Sequence, residues 1–177
     1  DSPLGMHPDI KVAGVEMSTG GLGHGLSVGI GMALGARLQG QDFRTCVMIG
    51  DGELQEGSNW EAAMAAAQMG LSNLTAIVDY NKIQQGDRVE KTVDLDPLAD
   101  KWRAFGWAVR EIDGHDMAEV VDALDSLPLV PDKPSMLIAH TIKGKGVSFA
   151  EDTYLWHSNA VTVEIYKQAL AELGDPE

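Results

Sequence analysis

The sequence has few of the features that mark secreted, membrane-spanning or nucleic-acid-binding proteins. It contains a single cysteine, so an internal disulfide is excluded and nothing indicates secretion. No hydrophobic run approaches the roughly 20 residues of a membrane span, and the first residues do not resemble a signal peptide. Basic residues number 13 and acidic residues 27, which gives a net charge of −14 and disfavours sequence-independent binding to nucleic acid or to an anionic membrane. We therefore expect a cytoplasmic protein that binds neither.

Short apolar runs alternate with longer amphipathic segments along the chain. Apolar residues make up 44% of the 177 residues, which is enough to form a hydrophobic core. Periodicity predicts strands at 45–49, 74–78, 107–112 and 135–139, and helices at 28–38, 59–69, 98–105, 117–127 and 161–173. Continuous apolar strands that alternate with helices are typical of a parallel sheet with helices on both faces. The sequence thus predicts one α/β domain over residues 1–177.

A glycine cluster, Ser18-Thr19-Gly20-Gly21-Leu22-Gly23-His24-Gly25, precedes the first predicted helix. Glycines let backbone N–H groups approach an anion closely, and a helix N-terminus adds a favourable dipole. The spacing fits neither the dinucleotide-binding fingerprint nor the P-loop. The cluster therefore indicates either phosphate binding or tight helix packing around small residues.

Polar residues follow three of the predicted strands: Asp51, Asn81 and His115. In a parallel sheet these positions share the carboxyl edge, where ligands bind. A carboxylate, an amide and a nearby backbone carbonyl are hard oxygen ligands that suit Mg²⁺ or Ca²⁺, with waters and phosphates completing the shell. The alternative for each residue alone is an ordinary turn.

Together these motifs resemble the transketolase family. Gly50-Asp51-Gly52, followed thirty residues later by Asn81, is similar to the thiamine diphosphate signature. Further matches to the diphosphate-binding half of transketolases lie at residues 14–16, 18–25, 113–116, 133–135 and 141–149, and at Trp156-His157. The resemblance extends from His7 to His157 and holds in particular for the N-terminal subunit of split, two-gene transketolases. It implies the thiamine diphosphate-binding fold and transfer of a two-carbon ketol unit from a ketose or its phosphate to an aldose or its phosphate.

The resemblance also implies a cofactor and metal site. By family position, Asp51, Asn81 and the main-chain carbonyl of Ile83 would bind Mg²⁺ (or Ca²⁺). The residues expected to contact thiamine diphosphate are Gly20, Gly21, Leu22, Gly50, Asp51, Gly52, Asn81, Ile83 and His157. The sequence departs from the family in having Gly21 where proline is usual and His24 where glutamine is usual.

Three further residues match catalytic positions of the family. His7, in Met6-His7-Pro8-Asp9, matches a histidine that contacts the donor substrate, and His157 matches one that lies over cofactor and substrate. Glu56 matches a glutamate between paired active sites at a dimer interface. The alternatives are surface histidines and, for Glu56, a solvated helix start. We expect His115 to orient a turn instead.

The family's cofactor lies between two domains, and no stretch of this chain matches the second, pyrimidine-binding domain. The sequence also starts after the positions of two family histidines, so we expect the diphosphate-binding domain to lack its N-terminal portion. The resemblance implies a chain that is inactive without a C-terminal subunit carrying the pyrimidine domain, in a dimer of heterodimers. Two alternatives remain: another thiamine diphosphate enzyme, such as deoxyxylulose-phosphate synthase or the pyruvate dehydrogenase α-chain, or a non-catalytic subunit that retains the cofactor. The sequence does not specify the sugars.

Overall fold

Four parallel strands form the sheet at the centre of the fold. They are β1 (Thr45–Gly50), β2 (Leu74–Tyr80), β3 (Ala108–Asp113) and β4 (Ser135–His140), and they lie in the order β1-β2-β4-β3. Ile49 lies opposite Val78, and Val78 lies opposite Ile138. This computed structural model describes residue 5 and residues 7–174, so residues 1–4, 6 and 175–177 at the two ends of the predicted domain lie outside the described part.

Of the helices, one precedes the first strand, and the others connect the strands or follow the last one. They are α1 (Gly25–Leu38), α2 (Gly57–Gln68), α3 (Val89–Thr92), α4 (Leu98–Ala104), α5 (Met117–Asp125) and α6 (Val163–Leu173), with 3₁₀ turns at Gly52–Gln55 and Tyr154–Trp156. Every predicted strand and helix is confirmed, with ends that differ by at most three residues. The sequence pattern does not predict α3 or the 3₁₀ turns. Within residue 5 and residues 7–174, no helix is long and apolar enough to cross a membrane.

Alternate residues of the strands pack on opposite faces of the sheet. On β4, Met136 and Ile138 belong to a large core that also contains side chains of α1, α2 and α4. Leu137 and Ala139 belong to a smaller core with Ala123 of α5. The predicted parallel sheet with helices on both faces is therefore confirmed.

Two packing features fix the positions of α4 and α1 on the sheet. The indole of Trp102 in α4 is fully buried between Trp60 and Trp107, with ring centroids 5.5 Å and 4.9 Å away. Gly29 allows α1 to approach β1, because a Cβ there would lie 2.4 Å from Cγ2 of Val47. The start of α1 and the glycine cluster before it therefore lie close to the carboxyl end of β1.

Candidate functional site

Asp51 lies where β1 ends and is almost completely buried, with 1% of its surface exposed. Its Oδ1 accepts a hydrogen bond of 2.7 Å from the N–H of Gly52, and its Oδ2 accepts one from the N–H of Lys82. The Asp51 N–H donates to the carbonyl of Asp79 in β2 over 3.3 Å. One carboxylate thus joins the exits of two neighbouring strands.

Asn81 and Ile83 follow β2 on the segment that Asp51 contacts. Both are buried, and Oδ1 of Asn81 accepts the N–H of Ile83 over 3.0 Å. Ile83 forms a β-bridge with Arg88, and Lys82 has a positive φ of 67°. The structure therefore brings all three predicted metal ligands to one short segment and the strand end beside it.

The chemistry of these residues fits a hard cation. In the described part of the chain, no group of three or more His, Cys, Asp or Glu side chains is placed to hold a metal. Asp51, Asn81 and the Ile83 carbonyl instead offer a carboxylate, an amide and a backbone oxygen, which suits Mg²⁺ or Ca²⁺ when phosphate oxygens and waters complete the shell. The residues present thus fit a hard divalent cation.

The environment of Asp51 favours its neutral form. Burial is the main cause and raises the pKa of its carboxyl group to about 6, against the lowering effect of the Lys82 and Gly52 backbone hydrogen bonds. The charge of Asp79 raises this pKa further, whereas the charge of Lys143 lowers it. A bound cation would stabilise the ionised carboxylate.

Two of the predicted glycine positions leave no room for a side chain. A Cβ at Gly52 would lie 2.7 Å from Cβ of Gln84. A Cβ at Gly21 would lie 2.9 Å from Cδ2 of His24. The two residues that depart from the family sequence, Gly21 and His24, are therefore in contact with each other. Leu22 between these residues is exposed. Gly20 and Gly21 are exposed as well, so the backbone of this segment is open to approach, as phosphate binding requires.

Of the three predicted catalytic residues, two lie beside the glycine cluster. A Cβ at Gly20 would lie 3.6 Å from the ring of His7, so this imidazole is adjacent to the cluster. Glu56 is exposed but lies close to Gly23. A Cβ at Gly23 would lie 2.6 Å from the Cβ of Glu56. His157 follows the second 3₁₀ turn. Burial and then the charge of Lys143 lower the pKa of its imidazole.

Lys143 is a site residue that the sequence analysis did not assign. It lines the same cleft as Asn81, and its charge lowers the pKa of both Asp51 and His157. The start of its loop is fixed by a hydrogen bond from the Thr141 hydroxyl to Asp79 and by one of 2.8 Å from the Ile142 N–H to Nε2 of His115. Its motif, Lys143-Gly144-Lys145-Gly146, was the only signal in the sequence, and it does not indicate which residues the lysine meets.

An apolar cleft of about 920 Å³ opens next to this edge of the sheet. It runs between the second sheet face and α6, and Asn81, Thr141 and Lys143 contribute to its rim. A parallel α/β sheet with hard oxygen ligands and a glycine-rich helix start at one edge is typical of an α/β domain that binds a phosphate-bearing ligand.

Comparison with known proteins identifies the family. Residues 1–176 match the family model described as transketolase, thiamine diphosphate binding domain, and the chain belongs to this family. The chain is 45% identical over 174 residues to one of the subunits of the apulose-4-phosphate transketolase of Phocaeicola vulgatus, covering 98% of this chain and 62% of that protein. It is 44% identical to the 6-deoxy-6-sulfo-D-fructose transketolase subunit SqwG of a Clostridium species, covering 96% and 62%.

Solved structures agree with this assignment. A transketolase from Campylobacter jejuni superposes with a TM-score of 0.86 at 31% identity, over 95% of this chain and 27% of that one. The predicted family and the predicted fold class are thus confirmed. The chain spans about three fifths of the length of the curated relatives described above.

Proposed function

We propose that this chain is the thiamine diphosphate-binding subunit of a two-subunit, cytoplasmic transketolase that transfers a two-carbon ketol unit from a ketose or its phosphate to an aldose or its phosphate. The observation that carries the proposal is the buried Asp51 carboxylate, held by the N–H groups of Gly52 and Lys82 beside Asn81. This arrangement occurs in a chain that is 45% identical to a protein named as a transketolase subunit. The names of the relatives differ in the sugar, so the donor and acceptor are left at the level of a sugar or sugar phosphate.

The residues of the site divide into binding and proton-handling groups. Asp51, Asn81 and Ile83 would hold Mg²⁺, and the exposed Gly20–Leu22 segment together with the Gly50–Gly52 segment would lie against the diphosphate. Thiamine diphosphate, when bound, supplies the electron sink that cleavage of a carbon–carbon bond next to a carbonyl requires.

His157 and His7 would act on the sugar. The lowered pKa of His157 favours its neutral imidazole, whose ring can accept a proton from a substrate hydroxyl or donate a hydrogen bond to a developing alkoxide. His7 lies beside Gly20, where it would contact the donor.

A second subunit completes this proposed site. We propose that the partner is a C-terminal subunit with the pyrimidine-binding domain, and that two such pairs form a dimer of heterodimers. Glu56, exposed at the start of α2, would lie at the contact between the paired sites. An acidic side chain that is exposed in one chain and buried between two could share a proton with its counterpart.

Asp51→Asn tests the proposal directly. In the enzyme reconstituted with its partner subunit, thiamine diphosphate and Mg²⁺, we expect this change to lower ketol transfer by about 100-fold or more, because the metal loses its only charged ligand from this chain. Activity is measured as release of the shortened aldose from a ketose phosphate donor. Asp42→Asn, at an exposed loop position, is the matched control and should leave activity unchanged.

Three outcomes would contradict the proposal. Full activity of the 177-residue chain alone would exclude the need for a partner. Unchanged turnover in Asp51→Asn would favour a non-catalytic subunit. Pyruvate consumption in place of ketose cleavage would favour deoxyxylulose-phosphate synthase or pyruvate dehydrogenase chemistry.

A further inference from the structure

Glu53 connects two glycine segments that are far apart in the sequence. It lies on the 3₁₀ turn directly after the Gly50–Gly52 segment and is half-buried. Its Oε1 accepts a hydrogen bond of 2.9 Å from the N–H of Gly23, and its Oε2 accepts one of 3.2 Å from the N–H of Gly50. One carboxylate therefore spans the end of the glycine cluster and the end of β1.

We propose that Glu53 is a positioning residue that sets the distance between the Gly20–Gly23 segment and the Gly50–Gly52 segment, so that both meet the same diphosphate. The inference rests on the proposed function, because that function assigns the diphosphate to these two segments. Each oxygen of Glu53 accepts a backbone N–H from one of the two segments. A carboxylate repels a diphosphate, so Glu53 acts through the glycines it holds and not by binding the ligand.

The peptide of Gly23 is also held from its other side. The Ser58 hydroxyl donates a hydrogen bond of 2.7 Å to the Gly23 carbonyl. Gly23 is buried and has a φ of 78°, which favours glycine, and a Cβ there would lie 2.5 Å from Oγ of Ser58. Glu53 and Ser58 thus bind the N–H group and the carbonyl of Gly23. These two hydrogen bonds fix the position of the last turn of the glycine cluster.

The turn that carries Glu53 is itself rigid. The fully buried Asn59 donates a hydrogen bond of 2.7 Å from Nδ2 to the Glu53 carbonyl. Asp51 and Glu53 accept hydrogen bonds from different backbone N–H groups. Asp51 accepts those of residues that follow it in the sequence, and Glu53 accepts those of residues that precede it. Hydrogen bonds to an ionised carboxylate are about twice as strong as neutral ones. The cofactor segments are therefore preformed before a ligand arrives.

Glu53→Gln tests this role, because glutamine keeps the shape but has one acceptor oxygen and places an NH₂ group against the other N–H. We expect hydrogen exchange at Gly23 or Gly50 to accelerate by about 10-fold to 100-fold in the chain without cofactor. We also expect the Kd for thiamine diphosphate, measured with Mg²⁺ in the enzyme assembled with its partner subunit, to rise by about 10-fold. Glu61→Gln, at an exposed glutamate of α2, is the matched control and should change neither quantity.

Ser58→Ala is a second variant that weakens the same position from the other side. It should also raise the Kd for thiamine diphosphate, but by a smaller factor than Glu53→Gln. If Glu53→Gln does not fold, this variant tests whether the position of Gly23 affects cofactor binding. A lower melting temperature with an unchanged Kd would mean that Glu53 is only structural and would overturn the proposal, as would unchanged exchange at both glycines. Failure of the wild-type assembly to bind thiamine diphosphate would instead refute the proposed function, and exchange at Gly23 and Gly50 would still decide whether Glu53 joins the two segments.

Discussion

Asp51 and His157 are both driven toward their neutral forms by burial, but Lys143 acts on them in opposite ways. Its positive charge favours the ionised carboxylate of Asp51 and disfavours a protonated His157. A metal-binding carboxylate and a neutral imidazole are the states that the proposed chemistry needs near pH 7. A single lysine thus supports both states.

Replacement of Lys143 by methionine should raise the pKa of His157. The imidazole pKa lies below its ordinary value of 6.5 first because of burial and second because of Lys143, so removal of the charge restores only part of the shift. The measurement is an NMR titration of the His157 ring protons. Lys145→Met is the control, since Lys145 pairs with Glu151 at 3.6 Å and its loss leaves Lys143 in place. The same titration curve in wild type and Lys143→Met would contradict the prediction.

The depressed pKa of His157 also affects stability. The folded chain binds fewer protons at this ring than the unfolded chain does, so its contribution to the free energy of unfolding decreases as the pH falls below 6.5. Lys143→Met should weaken this dependence, because the folded and unfolded pKa values then lie closer together.

At the scale of elements, the loop between β4 and α6 is held at several points. The Ile142 N–H donates to Nε2 of His115, which follows β3, so this nitrogen is the unprotonated one. Further along the loop, Asp152 pairs with Arg88 at 2.6 Å. The contact of His115 agrees with the role in turn orientation expected from the sequence. These contacts place Lys143 at the sheet edge.

His115→Leu should release the start of this loop. The Ile142 N–H would lose its acceptor, and we expect its hydrogen exchange to accelerate by about 10-fold, with a loss of about 1 kcal/mol in the free energy of unfolding. The loss is small because water can replace the acceptor at this exposed contact. His115→Gln provides the control, since its side-chain oxygen can accept the same N–H and should retain most of the protection. Equal exchange rates in the two variants would count against this function of the ring.

The sequence predicted the elements in which apolar side chains recur at a regular spacing. It did not predict those that depend on contacts between residues far apart in the sequence. Strands β2 and β4 were the most predictable, because they are buried on both faces and their sequences are therefore mostly apolar. Helix α3 has four residues, too few for a periodic pattern, and it starts directly after the bridge between Ile83 and Arg88.

The same distinction applies to the candidate site. Asp51 and Asn81 were predictable because each follows a strand and the two match a signature. Glu53 and Lys143 were not, because their roles depend on residues that are distant in the sequence. Glu53 accepts the N–H of Gly23, and the charge of Lys143 acts on His157.

At the scale of the whole molecule, the two faces of the sheet are covered unequally. The face with α1, α2 and α4 forms a continuous core, and the other face carries α5 and borders the cleft of about 920 Å³. Met48 of β1 lines this cleft and is 66% exposed. Close-packed interiors do not contain voids of this size. Side chains on the face that borders the cleft therefore make fewer packing contacts than those in the continuous core.

Two adjacent residues of β4 can measure this difference. Met136 and Leu137 are both buried, but Met136 belongs to the continuous core and Leu137 borders the cleft. We expect Met136→Ala to lower the free energy of unfolding by about 4 kcal/mol and Leu137→Ala by about 2 kcal/mol, because the cost of a truncation grows with the cavity that remains enclosed. Urea unfolding of the two variants gives both values, and each variant controls for the strand position of the other. Equal losses, or a larger loss for Leu137→Ala, would show that the second face is packed as tightly as the first in solution.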